Sequence, residues 1–175
     1  ILLTSDFAKV AALGELIRNI WSNKKQLFLC GNGGSAGNAA HIANDLIYGV
    51  SEKTGGGIRA NALSANPATI TCLANDVGYK YIFSEQIAVL ASAGDLLLVL
   101  SGSGESHNLV EALKQAKKMD VTTSAILGFS GGECKSLADV AVHFELYDMQ
   151  QSEDLQLIIG HMLTRWLKSE GNVQD

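Results

Sequence analysis

Twice along this chain a short apolar run that reads as a buried strand ends in a loop of glycines and serines and passes straight into a helical stretch. The first loop is Gly31-Asn32-Gly33-Gly34-Ser35 and the second is Ser101-Gly102-Ser103-Gly104-Glu105-Ser106. Glycines let the backbone approach an anion closely, while serine hydroxyls and the free N–H groups of a helix start donate to its oxygens. The pair predicts a phosphate site assembled from two strand ends. A dinucleotide fingerprint is disfavoured, because the first loop lacks the G-x-G-x-x-G spacing. A ligand-free tight turn explains one such loop but hardly two. One serine of the second loop is expected to cap the next helix, yet three around two glycines exceed what a cap needs.

Strand-like and helix-like segments alternate throughout, which favours a parallel sheet covered by helices on both faces. Residues 6–23 read as a helix with Ser5 as N-cap and Phe7, Val10, Leu13, Ile17, Ile20 and Trp21 as its apolar stripe. Strands are expected at 26–30, 58–64, 95–100, 122–127 and 140–146. The run Leu-Leu-Leu-Val-Leu before the second loop, apolar on both faces, marks the central one. Helices are expected at 36–49, from Asn66-Pro67 to about residue 75, from a Ser106 cap to about 119, and at 152–169. Glu153 and Asp154 would fall in the first turn of the last helix, where the dipole favours acids.

A chain of 175 residues that is 47% hydrophobic, with one proline and mixed charges, is expected to form one domain across 1–175. Its net charge of -5 leaves no basic patch for nucleic acid or an anionic membrane, so any anion must be held locally by the loops. Cys30, Cys72 and Cys134 lie far apart with no CxxC, which argues for reduced thiols and a cytoplasmic protein. The apolar runs are too short to span a bilayer, and no basic-then-apolar leader is present, although a chain that starts at Ile1 is expected to be trimmed.

His41 and Asp45, four apart on the helix after the first loop, share a face. His161 sits on the last helix, eight residues after Glu153 and seven after Asp154. Two histidines and two carboxylates from two helices suit either a divalent metal or an acid/base set for proton transfer. A histidine on an apolar helix is also often a core or interface residue. His107 and His143 read as a loop-surface and a sheet residue.

The first loop followed by Ala40-His41-Ile42-Ala43, then Asn75-Asp76-Val77-Gly78, then the serine loop, then a histidine on the final helix, resembles the sugar isomerase (SIS) domain. The match covers about residues 26–170 and is closest to the sedoheptulose 7-phosphate, or phosphoheptose, isomerases. The resemblance implies a three-layer, flavodoxin-like α/β sandwich with a five-stranded parallel sheet, and a homotetramer with active sites at subunit interfaces. It also implies isomerisation of the ketose phosphate to D-glycero-D-manno-heptose 7-phosphate on the route to surface heptose. By the same resemblance Asn32, Gly33, Gly34, Ser35, Ser101, Gly102, Ser103, Ser106 and Glu153 would hold the substrate, with Asn75 and Asp76 near its sugar hydroxyls.

Asp45 would be the base and His161 its acid/base partner. Alternatively, a zinc ion held by His41, Asp45, Glu153 and His161 would polarise the substrate oxygens, and the two roles stay open. The chain departs from the family pattern twice: Asp45 stands where the family has Glu, and Glu153 where it has Gln. Gln156 lies on a different helical face. The chain also opens closer to the first loop than family members do, and part of an amino-terminal helix is expected to precede Ile1. A second class of function is a non-catalytic module of the same family that senses a sugar phosphate or binds a protein partner, as replication-initiator-associated relatives do.

Overall fold

The computed structural model of the chain describes residues 7–51 and 56–171. The expected Ser5 cap lies outside them. The elements run α1 (Phe7–Ser22), β1 (Gln26–Cys30), α2 (Gly34–Asn44), β2 (Arg59–Ala62), α3 (Pro67–Asp76), α4 (Ser84–Leu90), β3 (Leu96–Ser101), α5 (His107–Lys118), β4 (Thr122–Leu127), α6 (Gly132–Leu137), β5 (Val140–His143) and α7 (Met149–Gly171). All five strands are parallel, in the order β2-β1-β3-β4-β5. β3 is central and buried at every residue, as its apolar run requires.

Two hydrophobic clusters make this a three-layer sandwich. On one face of the sheet, Leu13 and Ile17 of α1, Ile42 of α2, and Leu155, Ile159 and Leu163 of α7 pack together. On the other, Ile87 of α4, Leu109 and Leu113 of α5 and Cys134 of α6 do so, with α3 lying partly buried against them. The expected α/β class with a five-stranded parallel sheet is the observed one.

Several boundaries differ from expectation for local reasons. The helix expected at 36–49 is α2 from Gly34 to Asn44, continued by one π turn over Asp45–Gly49. The last strand stops at His143, because beyond it the chain bonds across a loop: Phe129 N–H donates to the Leu146 carbonyl at 2.9 Å. α7 starts three residues earlier than expected, since the Asp148 carboxylate accepts from the Gln151 N–H at 2.8 Å and caps the helix. Ser152 is therefore inside the helix, its hydroxyl donating to the Asp148 carbonyl at 2.6 Å. Glu153 and Asp154 accordingly lie beyond the first turn, away from the dipole position assigned to them. α4 and α6, seven and six residues long, and a 3-10 turn at Tyr79–Tyr81 were not expected at all.

The Asn66-Pro67 start of α3 is as expected. Asn66 Oδ1 accepts from the N–H groups of Ala68 and Thr69 at 3.1 and 3.3 Å, and Pro67 takes the first helical position.

Candidate functional site

β1 and β3 are neighbours, but the chain leaves β1 for α2 on one face of the sheet and β3 for α5 on the other. Such a reversal opens a crevice at the carboxyl ends of the strands, the usual ligand position in an open parallel sheet. Both glycine-serine loops lie there, side by side, because Cys30 pairs with Val99 two residues before β3 ends.

The second loop is braced by its own hydroxyls. Ser101 Oγ accepts from the Gly104 N–H at 2.9 Å and Ser103 Oγ from the Glu105 N–H at 3.3 Å. A hydroxyl that accepts from a backbone N–H keeps its own proton to give, so both serines are set to donate. Ser106 is the N-cap of α5, as expected, but its side chain makes no capping bond. The first loop is tied to the second by a carboxamide pair. Asn32 Nδ2 donates to Asn108 Oδ1 at 2.9 Å, and Asn108 Nδ2 returns the bond at 2.8 Å. Tyr79 adds its hydroxyl to Asn32 Oδ1 at 3.0 Å.

Across the first loop, α7 supplies Glu153. Its carboxylate lies so close over Gly34 that a Cβ there would sit 2.3 Å from Oε2, so a larger residue at 34 would push the Glu153 carboxylate aside. Further along, α2 and α7 touch where Gly160 admits Ile42: a Cβ on Gly160 would come within 2.6 Å of Ile42 Cγ1. The residues next to this contact, His41 and His161, are brought together as a result. Their Nε2 atoms are 3.0 Å apart, and Asp45 Oδ2 stands 3.5 Å from the first and 3.6 Å from the second.

Two imidazole nitrogens and a carboxylate oxygen are a donor set that zinc prefers. Tetrahedral bonds of about 2.0–2.1 Å to nitrogen would place such atoms roughly 3.3 Å apart, close to the observed triangle. The residues fit a divalent ion. Glu153, the fourth residue assigned to the metal, is not in this group. It lies two helical turns before His161, about 12 Å along the axis at 1.5 Å per residue, against Gly34.

Asn75 and Asp76 end α3 at the surface, bonded to each other at 2.7 Å. His143 Nε2 pairs with the Phe129 carbonyl at 2.9 Å, a sheet role as expected. All three cysteines are free. Burial pushes the Cys134 thiol up to about 12 and raises that of Cys30 as well.

Of four further residues that complete the site, Asn108, Tyr79 and Asn38 escaped sequence reading and Gln156 was noted only for its helical face. Asn108 and Tyr79 brace Asn32, and Asn38 and Gln156 sit buried between α2 and α7. The spacing of Asn38, three after Ser35 and so on one helical face with it, was the available signal.

Residues 2–128 match the SIS domain model. The chain belongs to the SIS domain family. It is 39% identical over 141 residues to the phosphoheptose isomerase of Nitratiruptor sp., covering 81% of this chain and 75% of that protein. Against the phosphoheptose isomerase of Sulfurimonas denitrificans it is 34% identical over 164 residues, covering 93% and 83%. The solved structure of phosphoheptose isomerase GmhA from Neisseria gonorrhoeae superposes with a TM-score of 0.86 at 28% identity, over 93% of this chain and 86% of that one. The chain thus shares the fold of that structure.

Proposed function

We infer that this protein is a phosphoheptose isomerase that interconverts sedoheptulose 7-phosphate and D-glycero-D-manno-heptose 7-phosphate. The observation that carries the reading is the His41, Asp45 and His161 group beside two loops whose hydroxyls are set to donate. A sugar-phosphate sensor needs the loops but has no use for this group, so catalysis is favoured. The relatives' names point the same way.

Ser101, Ser103, Ser106 and the first loop hold the phosphate and the sugar oxygens, with Glu153, Asn75 and Asp76 on its hydroxyls. Aldose–ketose exchange then needs two pairs of proton transfers. A base takes a proton from C1 while an acid gives one to the carbonyl oxygen on C2, forming an enediol. The O1 proton then leaves as C2 is protonated, and no atom is gained or lost. Asp45 suits the base and His161 the acid/base partner, both facing one point. Zinc, when bound by His41, Asp45 and His161, would polarise the substrate oxygens.

We place the working site at a subunit boundary of a homotetramer, because Ile47 and Tyr48 beside Asp45 and Ile158 and Met162 beside His161 are exposed. Three free thiols suit a reducing cytoplasm. Among the described residues no helix is long and apolar enough to cross a membrane.

A coupled assay with sedoheptulose 7-phosphate, with and without chelator, tests the reading. Conversion to the aldose phosphate is expected. Its absence at saturating substrate in folded, metal-supplied protein overturns the assignment.

A further inference from the structure

Gln156 is 1% exposed in the middle of α7, a long polar side chain placed where the helix otherwise buries leucine and isoleucine. Both ends of its amide are engaged. Oε1 accepts from Asn38 Nδ2 at 2.9 Å, and Nε2 donates to Ser35 Oγ at 3.0 Å. Amide oxygen and nitrogen can exchange places only if their partners allow it, and here they do not. Asn38 Nδ2 also donates, at 2.9 Å, to the main-chain carbonyl of Glu153, which has no proton to give. That carbonyl fixes the Asn38 group as a donor, hence the facing Gln156 atom as the acceptor, hence the other Gln156 atom as the donor to Ser35.

The relay ends on the Ser35 hydroxyl, one of whose two lone pairs accepts the Gln156 N–H. Ser35 is 3% exposed, yet among the described residues its own proton meets no acceptor. The Ser35 oxygen is satisfied by Gln156, but a buried donor with no acceptor is costly, on the order of 1–3 kcal/mol, so a proton left over in a ligand-binding loop points to an acceptor that arrives with the ligand.

We propose that Gln156 is a positioning residue that holds the Ser35 hydroxyl as a hydrogen-bond donor toward an oxygen of the bound sugar phosphate. The proposal rests on the isomerase reading for the identity of that ligand, and on the relay alone for the polarity. Its feature is direction: the same atoms with the opposite polarity would present lone pairs to an anion and repel it. Gln156 does so from the helix that also carries Glu153 and His161, so substrate binding and the acid/base group share one support.

Gln156→Glu tests it, because it keeps the shape and makes position 156 an acceptor only. Ser35 must then turn its proton inward. Expected are a KM for sedoheptulose 7-phosphate raised about tenfold, in line with one lost hydrogen bond to a charged or polar oxygen, and kcat within about twofold. In a Ser35→Ala background the same substitution should change KM little, a non-additivity that a general packing defect would not show. Asn38→Ala, which frees the amide to turn, should raise KM by less, again only while Ser35 is present. It serves as the second variant should the buried carboxylate prevent folding. Equal loss with and without Ser35, or a fall in kcat alone, overturns the proposal. Calorimetry of the parent protein with sedoheptulose 7-phosphate separates the two readings: no binding there defeats the isomerase assignment, whereas parent binding with no effect of either variant defeats the relay.

Discussion

His41 and His161 meet Nε2 to Nε2 at 3.0 Å although 120 positions separate them in the chain. At that distance one ring carries the shared proton and the other accepts it, unless a cation replaces the proton. Asp45→Asn and His161→Ala should each lower turnover by about 10²–10⁴-fold, the range of a positioned acid or base. Metal analysis of the same variants divides the roles. Retained metal with lost turnover marks proton carriers, and lost metal marks ligands, in which case chelator also silences the parent enzyme. Full activity in both variants removes the mechanism.

The meeting of the two histidines depends on Gly160, which lets Ile42 of the facing helix approach. Gly160→Ala gains up to about 1 kcal/mol in helix propensity but overpacks a buried contact at a cost of about 1–3 kcal/mol. The second effect wins. Thermal denaturation should show a lower Tm, and activity should fall further than stability because the helices carrying His41 and His161 move apart. A variant with parental Tm and turnover would show that this contact does not set the pair.

Much of the architecture was legible because β3 is apolar on both faces and the two loops repeat one pattern at two strand ends. The site was legible only in pieces. Nothing local says that His41 reaches His161, since their contact comes from the packing of α2 on α7; the residue types on two helices raised a shared metal or proton-transfer set without showing that contact. The start of α7 was misplaced because Ser152-Glu153-Asp154 imitates a helix start, whereas Asp148 is the residue whose side chain caps it. Gln156 hid in plain view: a polar residue in an apolar helix reads as exposed until the opposite helix is seen to offer Ser35 and Asn38. α4 and α6 are too short for a helical period to show.

Ser103→Ala removes one donor while leaving the loop's glycines, and sugar-phosphate affinity by calorimetry should weaken by about 1–2 kcal/mol, roughly 5–30-fold. Ser101→Ala should cost more in stability, because the buried Ser101 hydroxyl also accepts the Gly104 N–H. Unchanged affinity in Ser101→Ala, Ser103→Ala and Ser106→Ala alike would remove the phosphate site.

Cys72 offers a pH-dependent probe of α3. Its thiol donates to Asp76 Oδ2 at 3.5 Å, and that hydrogen bond, together with the repulsion between carboxylate and thiolate, raises its pKa above the ordinary thiol value. The thiolate is the reactive form, so labelling of Cys72 by a disulfide reagent should be slow at neutral pH and accelerate as pH rises through the raised pKa. Asp76→Asn should move that rise to lower pH and speed labelling at neutral pH. Cys30 and Cys134, buried with raised pKa values, should react only after denaturation. Identical pH profiles with and without Asp76 would mean that the contact is not made in solution.

α7 carries two apolar stripes, one buried through Leu155, Ile159, Leu163 and Leu167, the other exposed at Ile158 (39%) and Met162 (41%). The π turn that follows α2 packs against α7 and leaves Ile47 52% and Tyr48 84% exposed. Large apolar side chains grouped around a polar site mark a surface that another protein surface covers, and the commonest cover is a second copy under closed symmetry. Light scattering should give a tetramer. Tyr48→Asp, which places a charge in that patch without touching His41, Asp45 or His161, should yield smaller species and lower activity together, with activity recovering at high protein concentration. A fully active monomer at micromolar concentration would show that one chain holds the whole site.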